Sequence, residues 1–314
     1  MRALSIDDGT LTIVERATPL PESGKVLVAV AGAGLNGADM MQRRGLYPAP
    51  PGWPEDVPGL EFSGTIEAIG PDVTGWSIGD RVMGIVGGGA QATHVITDAT
   101  TLMRVPESVD LVTAGGFPEA FTTAYDAIVN QGFLLPGERL LVTGAAGGVG
   151  TAAIQIGRLL GAQVTACVRD LSRRDDLIAL GAASVVDPDG VIDVGPFDVV
   201  IELVGAQSLT NGVLRSLAEF ARVVVIGVGG GAKAEVNLLG LMASRATITG
   251  STLRARDVEE KSQIAAAMAD RLIPALANGD IIIPVVARYG LDQAEAAYGR
   301  FVEGAKFGKI ILQV

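Results

Sequence analysis

The segment GLNGADMMQRRGLYP, residues 34–48, carries three side chains able to act on an oxygen-bearing substrate: the amide of Asn36, the carboxyl of Asp39 and the phenol of Tyr47. An amide N–H or a phenol O–H can hold negative charge as it develops on oxygen, each donor being worth roughly 3 kcal/mol in a dry site. A phenol, or water, can also deliver a proton. Asp39 is read as ordering the loop or orienting a neighbour, with a role as base less favoured. Plainer roles stand beside these: Asn36 capping a turn or the short helix that follows, and Tyr47 lining a wall before Pro48. The stretch PGLEFSG, from Pro58, reads as a second wall. Neither stretch offers a thiol, an imidazole or a serine-based triad. The whole chain has one cysteine, Cys167, and one histidine, His94, so a Cys/His-ligated zinc site cannot be assembled from it. His94 reads as structural in an alternating strand, and Cys167 as a small strand residue.

A second constellation is LLVTGAAGGVGTAAIQ, residues 140–155. Ala145, Gly147 and Gly150 fall at the spacing of G-x-G-x-x-G, with alanine replacing the first glycine and Gly148 and Val149 inside the turn. A β-branched strand precedes and an amphipathic helix follows, which is the context a dinucleotide site requires. Small residues let the backbone approach a pyrophosphate, and the free N–H groups and positive dipole end of the helix face it. The next strand ends at Cys167-Val168-Arg169, with Asp170 and Arg173 following. Guanidinium groups at Arg169 and Arg173 could clamp a ribose 2′-phosphate. Asp170 pulls toward the unphosphorylated cofactor, or the arginines are a solvated face. The balance favours NADPH.

These residues need elements to hold them. The chain has 314 residues, 42 of them glycine, and is 48% hydrophobic, which fits two domains with many tight turns. Up to about Gly115, short β-branched runs such as Lys25–Val30, Gly64–Ile69 and Ala92–Thr97 alternate with Gly and Pro, predicting a β-rich, barrel-like unit. From Pro118 helix-like and strand-like pieces alternate: a helix ending near Gly132, strands at 138–143, 163–168, 183–186, 197–204 and 221–226, and helices at 149–160 and 173–180. That alternation predicts a doubly wound parallel sheet, an α/β fold. A long helix is expected over 258–277, and the terminal GKIILQV as a strand closing the first unit.

The net charge of −11, with no long basic run, argues against nucleic acid as a partner. The uncharged run Leu140–Gly157 is broken by five glycines and reads as strand, turn and helix, not as a membrane span. MRALSIDDG does not read as a secretory signal, and the single cysteine fits a reducing cytoplasm.

Taken together, GLNGADMMQRRGLYP, PGLEFSG, GDRVMG, PEAFTTAYDA, VTGAAGGVG and FGKIIL resemble the medium-chain dehydrogenase/reductase superfamily, and within it the zinc-independent quinone oxidoreductase branch, which is zeta-crystallin-like. The resemblance covers nearly the whole chain. It implies a discontinuous GroES-like β-rich catalytic domain, 1–119 plus 257–314, around an inserted Rossmann NADPH-binding domain, 120–256. Zinc-dependent relatives carry a cysteine near the position of Asn36 and a histidine in G-H-E, where this chain has Gly59-Leu60-Glu61. The resemblance further implies cofactor contacts from Thr123, from Leu203, Val204 and Gly205, from Gly227 and Val228, from Thr252 and Leu253, and from Lys309. Pro188 stands where related reductases often carry a tyrosine, which shifts the burden of phosphate binding to the arginines.

The expected activity is hydride transfer from NADPH to a small-molecule quinone or enone. Such an acceptor is already electron-poor and needs positioning more than a Lewis acid. The alternatives are an enoyl-thioester reductase and a non-catalytic NADPH-binding protein. A homodimer is expected from the resemblance, through pairing across the Rossmann sheets.

Overall fold

The computed structural model describes residues 1–304 and 306–314. The chain divides into two units, one of Met1–Thr122 with Leu253–Val314, the other of Thr123–Thr252. These bounds lie a few residues from the expected 119/120 and 256/257. The first turns of the helix Pro118–Tyr125 pack with the first unit, where Phe117 and Phe121 stack at 4.3 Å between ring centroids.

The hub of the first unit is the strand Lys25–Gly34, KVLVAVAGAG. It pairs antiparallel with Glu61–Ile69, His94–Asp98 and Lys309–Gln313. Arg81–Ile85 and Met103–Arg104 extend the sheet on one side, and Val285–Gly290 lies parallel to Lys309–Gln313 on the other. Val26, Val28 and Val30 bury one face with Phe62, Ile66, Val82 and Leu102, as alternation along strands requires. The register sets Ile311 opposite Gly34. Asn36 therefore follows the end of the hub strand, while Glu61 and Lys309 open its two neighbours. Gly34 is required there: a Cβ would stand 2.8 Å from the Glu61 carboxyl carbon. The hairpin Arg2–Asp7/Thr10–Glu15 completes the unit's strands at its start.

The second unit is a six-stranded sheet in which all neighbours are parallel. Its order is Ser184–Val186, Gln163–Cys167, Arg139–Thr143, Phe197–Glu202, Leu217–Val225, Thr247–Gly250. The central strands, LLV at 140–142 and VVI at 199–201, are fully buried, as strands covered on both faces must be. From Arg139–Thr143 the chain winds outward to one edge, then returns to Phe197–Glu202 and winds to the other. The switch point lies between these two strands, and beyond their carboxyl ends is where open parallel sheets of this kind take ligands.

Two helices differ from expectation. The span 258–277 is two helices, Val258–Arg271 and Ile273–Asn278. Pro274 lacks the N–H to continue the first and suits the opening turn of the second. The helix from Pro118 relaxes into π-helical turns over Asp126–Gln131, with Gly132 N donating to Ala127 O at 2.8 Å. Among the described residues no helix is long and apolar enough to cross a membrane.

Candidate active site

In the first unit a buried polar cluster forms where three strand ends meet. The Lys309 ammonium donates to Leu35 O at 2.9 Å and to Asn36 Oδ1 at 2.7 Å, and lies 2.5 Å from Glu61 Oε1. Its three protons are thereby used. Glu61 Oε1 also accepts from Asn36 Nδ2 at 2.9 Å, and Glu61 Oε2 accepts from the backbone N–H of Glu119 at 2.8 Å. The second proton of Asn36 Nδ2 goes to Gly34 O at 3.3 Å. Lys309 is 4% exposed and Glu61 0%.

This geometry redirects two expectations. Asn36, read as a donor to the substrate, spends both amide protons and its oxygen inside the cluster. Lys309, read as a cofactor contact, has no proton left for a phosphate. The reason is common to both: the sheet register brings a cation, a carboxylate and an amide together away from water, and each satisfies the others.

Asp39 sits in the first turn of the helix Gly37–Arg43 and is fully buried. Its carboxyl accepts from Asn36 N at 2.7 Å and from Gly59 N at 3.1 Å, tying the two walls to each other. Burial pushes its pKa up to about 6, against the pull of these bonds and of Lys309. Asp39 thus orders the loop. Asp39→Ala leaves the buried Gly59 N–H and the part-buried Asn36 N–H without an acceptor and is expected to cost about 2–4 kcal/mol of stability, measured by urea unfolding at neutral pH.

Tyr47 is held through its backbone. Arg254, itself buried, donates from Nη1 to Tyr47 O at 2.9 Å, from Nη2 to Gln42 Oε1 at 2.6 Å and from Nε to Gly87 O at 2.7 Å. The guanidinium also lies 5.1 Å from the centre of the Tyr47 ring. Lys261 Nζ secures the same loop by donating to Arg254 O at 2.8 Å. The Tyr47 hydroxyl has no hydrogen-bond partner among the described residues, and burial raises its pKa above the ordinary value of 10.0. It is a positioned, protonated and available donor.

Arg254 and Glu119 carry no site signal in the sequence, and Glu61 stands out there only as the residue after Leu60, where zinc relatives have a histidine. GSTLRAR gave no sign that its first arginine clamps a loop two hundred residues earlier. Glu119, directly after Pro118, reads as an ordinary acidic residue in a helix's first turn. His94 has the structural role expected: its ring contacts Glu67 Oε2 at 2.8 Å and Thr93 Oγ1 at 3.0 Å. Cys167 is buried, its thiol pushed up to about 12 by desolvation and by the nearby acids Glu202 and Asp187.

The second unit carries the dinucleotide turn. Gly144 has φ +58, Gly147 caps the helix Gly148–Leu159, and Thr151 N closes the first turn on Gly147 O at 2.8 Å. The N–H groups of Gly148, Val149 and Gly150 have no acceptor among the described residues, as expected of a helix start. A Cβ at Gly147 would meet only Gly144 O, at 3.4 Å, so the space before it is open. A Cβ at Gly150 would stand 2.6 Å from Ala145 Cα, so that glycine serves helix–strand packing. Ala145 is fully buried and lends the site only its compact backbone, not a contact surface.

Across the switch point, Glu202 Oε1 accepts from Thr143 Oγ1 at 2.9 Å, Val204 N at 2.7 Å and Gly205 N at 2.8 Å. Thr143 Oγ1 accepts in turn from Leu203 N at 2.9 Å. This lock sets Leu203, Val204 and Gly205 beside Gly144, whose Cβ position lies 3.4 Å from Val204 Cγ2. Gly227 passes so close to Leu203 O that no side chain fits. Val228 is exposed, and Thr123 is partly exposed with no side-chain partner among the described residues. Thr252 is exposed at the end of this unit, whereas Leu253 is buried and belongs to the first unit.

Arg169 is exposed and has no hydrogen-bond or ion-pair partner among the described residues, while Arg173 pairs with Asp176 at 3.2 Å. Asp170 turns its carboxylate to Ser172 N at 3.0 Å, capping a short 3₁₀ turn. The open glycine and the unpaired helix-start N–H groups, placed at the switch point of the sheet, fit a nicotinamide dinucleotide. Gly147, Gly148, Val149 and Gly150 would hold its pyrophosphate.

Comparison with known proteins agrees with this architecture. The alcohol dehydrogenase GroES-like domain family matches residues 22–127, and the zinc-binding dehydrogenase family matches residues 148–270. Human quinone oxidoreductase is 30% identical over 308 residues, covering 94% of this chain and 91% of that protein. An alcohol dehydrogenase superfamily protein from Novosphingobium aromaticivorans has a solved structure that matches with TM-score 0.90 and 26% identity, covering 100% and 99% of the two chains. Polyketide synthase GfsB of Streptomyces halstedii is 33% identical over 316 residues; the match takes in 99% of this chain but spans only 5% of that protein. The chain belongs to the medium-chain dehydrogenase/reductase superfamily, on its quinone oxidoreductase-like branch. It is thus an oxidoreductase whose fold binds a nicotinamide cofactor.

Proposed function

We propose that the chain is an NADPH-dependent, zinc-independent reductase of quinones or α,β-unsaturated carbonyl compounds. One observation carries this reading: the ground around Asn36, where zinc relatives place a ligand, is filled by the Lys309 ammonium, while the Tyr47 hydroxyl has no hydrogen-bond partner among the described residues and stays an available donor. The donor set suits an acceptor whose charge appears on an oxygen and can be met by hydrogen bonds. The cofactor supplies the hydride when bound. The chain's own residues hold the pyrophosphate at Gly147–Gly150 and meet the acceptor oxygen from Tyr47, with Arg254 fixing the loop that bears it.

NADPH is favoured over NADH because Arg169 is free to meet a 2′-phosphate and Asp170 is turned onto its own backbone. Arg169→Ala is expected to raise KM for NADPH about tenfold with little effect on NADH, as loss of one charge-assisted contact would. The test is spectrophotometric: NADPH or NADH oxidation with a quinone, an enone and an enoyl-CoA. Binding of NADPH without turnover of any acceptor would leave a non-catalytic protein, and faster turnover with NADH would remove the role given to Arg169. The match to a polyketide synthase keeps a thioester-linked enoyl acceptor as the second reading, and the enoyl-CoA arm decides it.

A homodimer is part of the same proposal. It is supported by the edge strand Thr247–Gly250 and the preceding helix Leu238–Ser244, whose Leu238, Leu239 and Met242 are exposed. Light scattering that gives a monomer mass at micromolar concentration would remove it.

A further inference from the structure

We propose that Glu119, as a neutral carboxylic acid, pairs with Tyr47 to form the acid side of the active site, binding the acceptor's carbonyl oxygen and giving it a proton. The inference rests on the reductase reading above and names the group that completes it.

Glu119 is fixed at its backbone. Its N–H donates to Glu61 Oε2 at 2.8 Å, so the residue is tied to the buried Lys309–Glu61–Asn36 cluster. Its own carboxyl, by contrast, has no hydrogen-bond partner among the described residues. In this cluster of ionisable groups that is unusual. Asp39 is held by two backbone N–H groups, Glu61 by Lys309, Asn36 and Glu119, and Lys261 by Arg254 O. Among the described residues of this cluster, Tyr47 and Glu119 combine a clamped backbone, through Arg254 and through Glu61, with a side-chain polar end that has no hydrogen-bond partner. A clamped backbone with an unspent donor is what an acceptor oxygen needs.

The charges facing Glu119 come from several elements. Glu61 and Asp39 oppose its ionisation, Lys309 and Lys261 favour it, and it interacts with Tyr47 and Arg254 as well. Desolvation outweighs all of these, and the carboxyl is pushed up to about 8. Glu119 is therefore mostly protonated at neutral pH and able to donate, as Tyr47 is.

When bound at Gly147–Gly150, the dihydronicotinamide cofactor would supply a hydride, two electrons and a proton, to the carbon β to the carbonyl. The C=C π pair shifts to make a new C=C beside the oxygen, and the C=O π pair moves onto oxygen. The Glu119 O–H bond breaks and that proton goes to the oxygen, giving an enol that tautomerises to the saturated ketone. Glu119 is left as carboxylate and regains a proton from water.

The experiment follows reduction of a non-ionising enone at saturating NADPH from about pH 6 to about pH 9.5 in wild type, Glu119→Gln and Glu119→Ala. In the wild type kcat is expected to be level at low pH and to fall about tenfold per unit above an inflection near pH 8, because the active form is the protonated one. Glu119→Gln keeps an N–H donor and the same shape. It is expected to stay within about tenfold of wild type at neutral pH and to lose the inflection, while Glu119→Ala falls about 100-fold. Infrared difference spectra without cofactor provide a second readout: a carboxylic acid band that titrates near pH 8 in wild type and is missing in Glu119→Gln. An unchanged inflection in Glu119→Gln, full activity in Glu119→Ala, or no such band would overturn the assignment while the reductase reading stands. Failure of the wild type to reduce any acceptor would sink that reading, and this assignment with it.

Discussion

Lys309→Met is expected to lower folding stability by about 3–5 kcal/mol, the cost of stranding one member of a buried ion pair. The size follows from what the ammonium serves. Glu61, fully buried, would lose its only cation within hydrogen-bonding distance among the described residues, and Leu35 O and Asn36 Oδ1 would lose their donor. Methionine fills nearly the same space, so the effect would be electrostatic and not a cavity. Adding Glu61→Gln removes the stranded charge and is expected to recover a large part of the loss, the non-additivity marking the pair as one unit. Urea unfolding would show a lower midpoint at unchanged slope. A cofactor role for Lys309 would instead show as weaker NADPH binding at unchanged stability.

The second large effect is Gly147→Val, expected to weaken NADPH binding by about 100-fold, or about 2.7 kcal/mol, while the chain stays folded. Gly147 has φ −75 and ψ 172, a conformation open to any residue, and its Cβ position touches only Gly144 O at 3.4 Å. A valine there costs about 1 kcal/mol at most as a poorer helix cap, yet its methyls stand where a pyrophosphate must approach the backbone. Gly150→Val makes the contrast. Its Cβ would enter the backbone of Ala145 at 2.6 Å, so it is expected to destabilise the second unit itself. Calorimetric titration with NADPH beside thermal melts of both variants separates binding from folding.

Local pattern carried most of the architecture. The doubly wound sheet was legible because its strands are continuous apolar runs set off by Gly and Pro, and the dinucleotide turn because its small residues sit between a strand and a helix. The break at Pro274 was legible in principle, since proline ends a helix locally, and the hydrophobic period carried the expectation past it. The polar wall proposed to meet the substrate was half legible. Asp39 is tied to the backbone of Asn36 and Gly59, and the Tyr47 hydroxyl is left without a partner among the described residues, arrangements their residue types allow. The place of Asn36 was not legible, because an amide's duty depends on what the sheet register brings to it, here Lys309 and Glu61 from distant strands. Arg254 and Glu119 were invisible for the same reason. An arginine's clamp and a glutamic acid's neutrality are properties of the surroundings, and these come from segments far apart in sequence.

The proposed reaction moves a hydride from NADPH to the carbon β to a carbonyl. Reduction of an enone with NADPH deuterated at the transferring C4 position tests it most directly, read by mass and NMR of the product. One deuterium per product molecule is expected, at the carbon β to the carbonyl. Deuterium at the carbonyl carbon, as an alcohol dehydrogenase acting on the C=O would place it, or a reduced product without deuterium, would contradict it.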